Sequence, residues 1–349
     1  MVKSRSFIAT PPGVTIKEQL DERGMSQKEF SSRMEMSEKH ISKLINGSVQ
    51  LTHETAYKLE MVLGVPAEFW NRLEAIYREK VIRAEAENAM DADIIIARKL
   101  PYVEMSKLGW IASTKDIHER VMNLRKFFEV VSLSLLGNEK ITCLACRRLA
   151  ITEKGDLALM AWAQEVKIVA RDMHTSPINV QRLIDSVPEI RKMTLLQPDQ
   201  FSSDLKEILA KCGIALVYLP HLKGSFLQGA SFLDGNKVVV GLTVRGKDAD
   251  KFWFSLFHEL AHVILGHVGK TGGTSDLEEK DADRWASETL IPSGPFKILV
   301  AEKDFSERRI TKFAEDCDIA PGIVIGRLQS EKIISYNRLN HLKQKYQIS

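Results

Sequence analysis

The chain predicts an α+β protein that is mostly α. It has an N-terminal five-helix unit built on a helix-turn-helix, a helical middle region, and a C-terminal unit with an HExxH helix beside a small sheet. Three observations carry this expectation. Residues 11 to 88 are short apolar-periodic segments punctuated by caps and glycines, the signature of successive short helices. Strand-like runs appear only after about residue 204. In the second half, Phe257-His258-Glu259-Leu260-Ala261-His262 sets two histidines four residues apart inside an apolar helical run. The expected divisions are residues 1–88, 89–203, 204–300 and 301–349.

The totals narrow the function classes. A length of 349 residues leaves room for two or three domains. The net charge of +3 does not by itself mark a nucleic-acid binder, and the first 80 residues hold 12 Lys/Arg against 11 Asp/Glu. Any DNA contact must therefore come from local placement. No apolar run approaches the ~20 residues that span a bilayer, and Met1 to Phe7 lacks a signal-peptide core. A cytoplasmic protein with no membrane partner is expected. Cys143, Cys146, Cys212 and Cys317 are too few for a disulfide framework, and the lone Cys143-x-x-Cys146 reads as core.

Taken in order, Pro12-Gly13 leads into a helix that Gly24 ends. Ser26 and Glu29 form a capping-box pattern at the next start. Ser37 caps a third helix from Glu38 to Asn46, stopped by Gly47. Two short capped helices about three residues apart are the skeleton of a helix-turn-helix. On the second of them Lys39, His40 and Lys43 lie off the face used by Ile41, Leu44 and Ile45. Thr52 to Leu63 and Ala67 to about Glu87 supply helices four and five. Pro12-Gly13, Ser26 to Phe30, Ser37 to Gly47, Glu54 to Glu60 and Glu68-Phe69-Trp70 together resemble the Cro/cI-type (XRE) helix-turn-helix, most closely the HigA-like antitoxin group. The resemblance implies double-stranded operator DNA as partner, bound by a homodimer. It implies a phosphate contact from Gln27 and a major-groove face made by Glu38, Lys39 and Lys43, and His40 beside them is a further DNA-binding candidate.

Residues 88 to 205 are less informative. Helices are expected over roughly Thr114 to Leu136, Leu144 to Thr152, Ala158 to Met173 and Asn179 to Ser186, with Trp110 and Trp162 in the core. After a helix from Asp204 to Lys211, Ile214 to Leu219 has strand character. Gln228 to Leu233, Asp234-Gly235-Asn236 and Lys237 to Thr243 read as a hairpin. The run Val238 to Leu242 is a candidate edge for strand addition by a peptide.

Lys247 to His267 reads as the metal helix. A spacing of four puts both imidazoles on one face, where one divalent cation can take both. Glu259 lies about 100° round the axis, beside the cation rather than on it, and can serve as general base. Two unpaired imidazoles in an apolar run would be costly, so a third ligand should follow. Glu279 is expected, with Glu278 and His267 as rivals, and Asp283 can hold the ring N–H of a histidine ligand. HELAH followed by Glu279-x-Asp281-Ala282-Asp283-x-Trp285-Ala286 and closed by Pro292 resembles the ImmA/IrrE-type metallopeptidases. It departs from their usual pattern at Asp281, Asp283, Trp285 and Thr289. The resemblance implies a Zn²⁺ (or Mn²⁺) endopeptidase that relieves repression by cleaving an XRE-type repressor. Tyr218, His267 and Tyr336 are candidate oxyanion groups. Rival classes are an antitoxin-like repressor that binds a RelE-like toxin and a metal-sensing repressor. Residues 306 to 349 are expected to be helical and to pack rather than read DNA.

Overall fold

The computed structural model describes residues 2–137, 153–223, 228–243, 247–269 and 274–346. The chain forms two compact units, Met1–Ile95 and Ile96–Ser349. As the composition of segments predicts, helices dominate and the sheets are small. No helix among the described residues is long and apolar enough to cross a membrane. Cys143, Cys146 and the helix expected from Leu144 to Thr152 lie outside the described residues.

The first unit opens with an antiparallel ribbon, β1 (Val2–Lys3) and β2 (Ile8–Ala9), which the sequence reading does not anticipate. Five helices follow: α1 (Gly13–Glu22), α2 (Gln27–Arg33), α3 (Glu38–Ile45), α4 (His53–Leu63) and α5 (Ala67–Asn88). The side chains of Ser26, Ser37 and Thr52 each accept the backbone N–H three residues on, which starts α2, α3 and α4. The expected capping box at Ser26 is only half formed. Glu29 turns instead to Arg33, one turn along the helix, at 2.7 Å. Gly47 and Gly64 take φ of +70° and +71°, which ends α3 and α4 without a Cβ penalty. Ile16, Phe30, Ile41, Leu59 and Trp70 are fully buried and form the centre of this unit.

After α6 (Asp91–Ala97), the second unit contains α7 (Tyr102–Lys107), α8 (Ile117–Phe128), α9 (Glu153–Arg171), α10 (Val180–Lys192) and α11 (Pro198–Lys211). Next come β3 (Ile214–Leu219), β4 (Gly229–Asp234), β5 (Lys237–Thr243), β6 (Lys247–Asp248) and α12 (Ala249–Ile264). The chain ends with α13 (Asp276–Leu290), α14 (Ser293–Glu302), α15 (Glu307–Asp316), α16 (Pro321–Ser330) and β7 (Lys345–Tyr346). Helix α8 stops earlier than expected because Glu129 adopts φ +57° at its C-cap.

The sheet order is β3-β5-β4, with β3 parallel and β4 antiparallel to β5. This corrects one expectation. Val238 to Leu242 lie on the central strand, whose neighbours take its backbone groups on both sides, so no peptide can add there. Among the described residues, β4, which packs against α12, pairs with β5 alone. Helix α9 packs behind the sheet, where Gly241 lets Trp162 and Val166 approach the backbone, and α12 covers the other face. One core then joins Leu183, Ile190, Phe201 and Leu205 to Trp253, Phe257 and the apolar residues of α16. Helices α10 and α11 thus share the core of α12. Ile323, Val324, Ile325 and Leu328 of α16 are buried in it, which fits a packing role for the C-terminal segment. β7 pairs with β6, and Tyr346 accepts the indole N–H of Trp253 at 3.0 Å, fastening the chain end to the start of α12.

One close approach in the first unit is decisive for α3. A Cβ on Gly13 would stand 1.9 Å from the carbonyl oxygen of Ile45, at the end of α3. Gly13→Ala must therefore push α1 away from α3. We expect a loss of about 1–3 kcal/mol from overpacking, read as a lower melting transition of the first unit. An unchanged transition would show that the two helices do not meet this closely.

Candidate metal centre

Helix α12 carries both histidines into the second unit because its remaining faces are apolar and buried. Phe252, Trp253, Leu256, Phe257, Leu260 and Ala261 are all almost fully enclosed. Opposite it, α13 is started by Ser275, whose hydroxyl accepts from Glu278 N while Glu278 reaches back to Ser275 N at 2.8 Å. This capping box occupies Glu278 at the helix end and leaves Glu279, the next residue round, facing α12. The rings of Phe257 and Trp285 meet between the two helices and fix their spacing.

The three expected ligands converge. The Nε2 atoms of His258 and His262 stand 3.1 Å apart. The Glu279 carboxylate oxygens lie 3.4 Å from His258 Nε2 and 3.6 Å from His262 Nε2. One ligand atom from each residue falls within 4.8 Å of the others, the only such group among the described residues. Two imidazole nitrogens and a carboxylate oxygen around one point suit a tetrahedral Zn²⁺ with one open position. Glu279 is also held by the Thr274 hydroxyl, and His258 Nδ1 donates to Asp283 Oδ1 at 2.9 Å.

The electrostatics follow from burial and neighbours. Burial opposes a charge on His258, but hydrogen bonds to Asp283 and Glu279 and the charge of Glu259 outweigh it, raising its pKa to about 10. Burial and the charge of His258 push His262 down. Glu279 is lowered despite its burial, because His258 and Thr274 hold its ionised form. Glu259 is 6% exposed, and burial lifts its pKa to about 7, against the opposing effects of His258 and of Ser231. Ser231 lies beside it on β4, although no well-aligned hydrogen bond joins them. A Cβ on Gly229 would come within 2.9 Å of Glu259 Oε1, so β4 walls in the carboxylate. This wall is missed by sequence reasoning, because strand order is not a local property.

The other candidates separate. His267 sits behind His262, Nδ1 to Nδ1 at 3.0 Å, away from the ligand point. Tyr218 has its ring contacts with Phe252 and Lys206 rather than with either histidine. Tyr336 is exposed and lines a cleft of about 710 Å³ together with Phe254, Asp283, Gly326, Arg327 and Lys343. In the first unit Gln27 opens α2, while Glu38, Lys39 and Lys43 project from α3; all four are exposed and His40 is half-buried. Ile41 and Leu44 take the inner face of α3.

Comparison with known proteins agrees with this geometry. The helix-turn-helix family profile matches residues 16–70. A peptidase-family profile described as an IrrE N-terminal-like domain matches residues 222–332. An uncharacterized HTH-type transcriptional regulator, YddM of Escherichia coli (strain K12), is 38% identical over 80 residues, which are 23% of this chain and 81% of that protein. The chain belongs to the helix-turn-helix regulators and carries an IrrE-like domain in its second half. That domain spans β4 through α16, so both the wall behind Glu259 and the helices of the C-terminal segment fall within it.

The charge state of the IrrE-like centre makes a prediction. A ligand must give up its proton to a metal. With a pKa raised to about 10, His258 is protonated at pH 7. Zn²⁺ uptake at pH 7 should release about one proton, and affinity should fall roughly tenfold for each pH unit lowered between about pH 9 and 7. Calorimetry in buffers of different ionisation enthalpy measures this, and uptake without proton release would contradict it.

Proposed function

We propose that this protein is an operator-binding regulator whose IrrE-like half is a zinc-dependent endopeptidase. The reading is carried by one observation: three converging ligands stand next to a buried carboxylate, Glu259, that is not one of them. A centre that only stores or senses a cation has no use for a base directly after its first histidine. His258, His262 and Glu279 would hold the Zn²⁺, with Mn²⁺ as the alternative ion. The ion, when bound, supplies a Lewis acid and lowers the pKa of water.

The chain's own residues do the rest. Glu259, with a pKa near 7, is poised to take a proton from the attacking water and pass it to the leaving amine. The backbone of β4 at Gly229 lies against its carboxylate, where no side chain larger than glycine fits. Asp283 holds the His258 ring. An extended peptide laid along the free side of β4 would bring its carbonyl beside Glu259, since β4 pairs only with β5 among the described residues. Tyr336, on the rim of the adjoining cleft, is the favoured oxyanion donor of the three named. The substrate is an XRE-type repressor or the chain's own helix-turn-helix half, because fusion places a DNA reader and a peptidase in one polypeptide.

In the first unit Lys39, Lys43 and Glu38, with His40 at the edge, face the major groove, and Gln27 meets a phosphate. Lys39→Ala should weaken operator binding more than binding to random DNA, by about 1–3 kcal/mol for a lost base contact. Gln27→Ala should weaken both alike. Competition titrations on the two DNAs test the assignment, and equal losses for Lys39→Ala would reduce it to a phosphate contact.

Glu259→Gln separates hydrolysis from metal binding. It should keep metal and DNA binding yet lose about 10²–10⁴ in cleavage rate, together with the ability to relieve repression in cells. If Glu259→Gln derepresses like the wild type while His262→Ala does not, the metal acts without hydrolysis. A metal-sensing or toxin-binding repressor would then replace the peptidase.

A further inference from the structure

We infer that His267 is a positioning residue of the centre: its Nδ1 accepts the Nδ1–H of His262 and so fixes the tautomer in which His262 offers Nε2 to the cation. This rests on the metal-centre reading above. The two Nδ1 atoms are 3.0 Å apart, and the side chains are 2% and 7% exposed. A neutral imidazole has one donor and one acceptor. His262 turns Nε2 toward His258 Nε2 and the Glu279 carboxylate, so a ligand lone pair there puts its proton on Nδ1. The partner at 3.0 Å must then be an acceptor, which fixes His267 as the neutral tautomer with its own proton on Nε2.

The backbone places this ring. Helix α12 ends at Ile264, Gly266 takes φ +71°, and His267 N donates to His262 O at 2.9 Å. This left-handed turn folds the chain back so that His267 lies behind the ring of His262. The residue is therefore on the wrong side of that ring to be a ligand. The two ligand histidines are also held by unlike partners. His258 has a carboxylate, Asp283, which raises its basicity. His262 has a neutral ring, which orients it without adding another negative charge to a site that already holds Glu259, Glu279 and Asp283.

The test is chelator competition for Zn²⁺ on the wild type, His267→Leu and His267→Asn, with ¹⁵N NMR of the wild-type zinc-loaded imidazoles. Leu fills the space without an acceptor and should weaken zinc binding about 10–100-fold, the usual range for lost partners of ligand histidines. Asn keeps an acceptor oxygen and should recover most of that loss. NMR should show the proton of His267 on Nε2. Wild-type affinity in His267→Leu, or a proton on His267 Nδ1, would overturn the assignment, and the NMR result decides it if either variant fails to fold. A wild-type protein that takes up no zinc would instead overturn the metal-centre reading itself.

Discussion

Two imidazoles and the Glu279 carboxylate meet between α12 and α13, with Glu259 enclosed beside them against β4, and the second unit is arranged around keeping them there. An uncompensated charge in such a place is strongly unfavourable. The compensation is local: Asp283 on His258, Thr274 on Glu279, and the charge of His258 on Glu259. Hydrogen bonds to Asp283 and Glu279 and the charge of Glu259 raise the pKa of His258 to about 10, outweighing its burial. A divalent cation there would supply a compensating positive charge and leave Glu259 free for the base role we propose.

The same constraint explains the surrounding architecture. Helix α12 can carry His258, Glu259 and His262 inward only because the rest of its surface joins a continuous apolar core with α10, α11 and α16. Its start is fastened by the chain end. Lys343 meets Asp250 at 2.7 Å in a buried ion pair, and Gly326 of α16 leaves the room Asp250 needs. The C-terminal segment is therefore packed into the same core, and its Gly326, Arg327 and Lys343 line the cleft that also includes Asp283.

Much of this is legible in the sequence, for identifiable reasons. The helical period alone puts His258 and His262 on one face, and serine and threonine caps mark the starts of α2, α3, α4 and α13. Choosing Glu279 over Glu278 needs the capping box at Ser275, a pattern visible in the residues themselves. What stays hidden depends on non-local placement. A hairpin in sequence does not reveal which strand lies centrally, so the central place of β5 and the wall at Gly229 and Ser231 leave no local signal. His267 looked like a rival ligand because linear spacing does not include the left-handed turn at Gly266. Glu29 fits a capping box in sequence, yet Arg33 one turn away competes for its carboxylate and takes it.

The central claim is that a cation is held by His258, His262 and Glu279. Zinc K-edge X-ray absorption of the purified full-length protein tests it most directly. The account predicts a nitrogen and oxygen shell at about 2.0–2.1 Å with two imidazoles and no sulfur. A sulfur shell at about 2.3 Å would assign the metal to cysteines instead, and a protein without zinc or manganese would contradict the centre altogether.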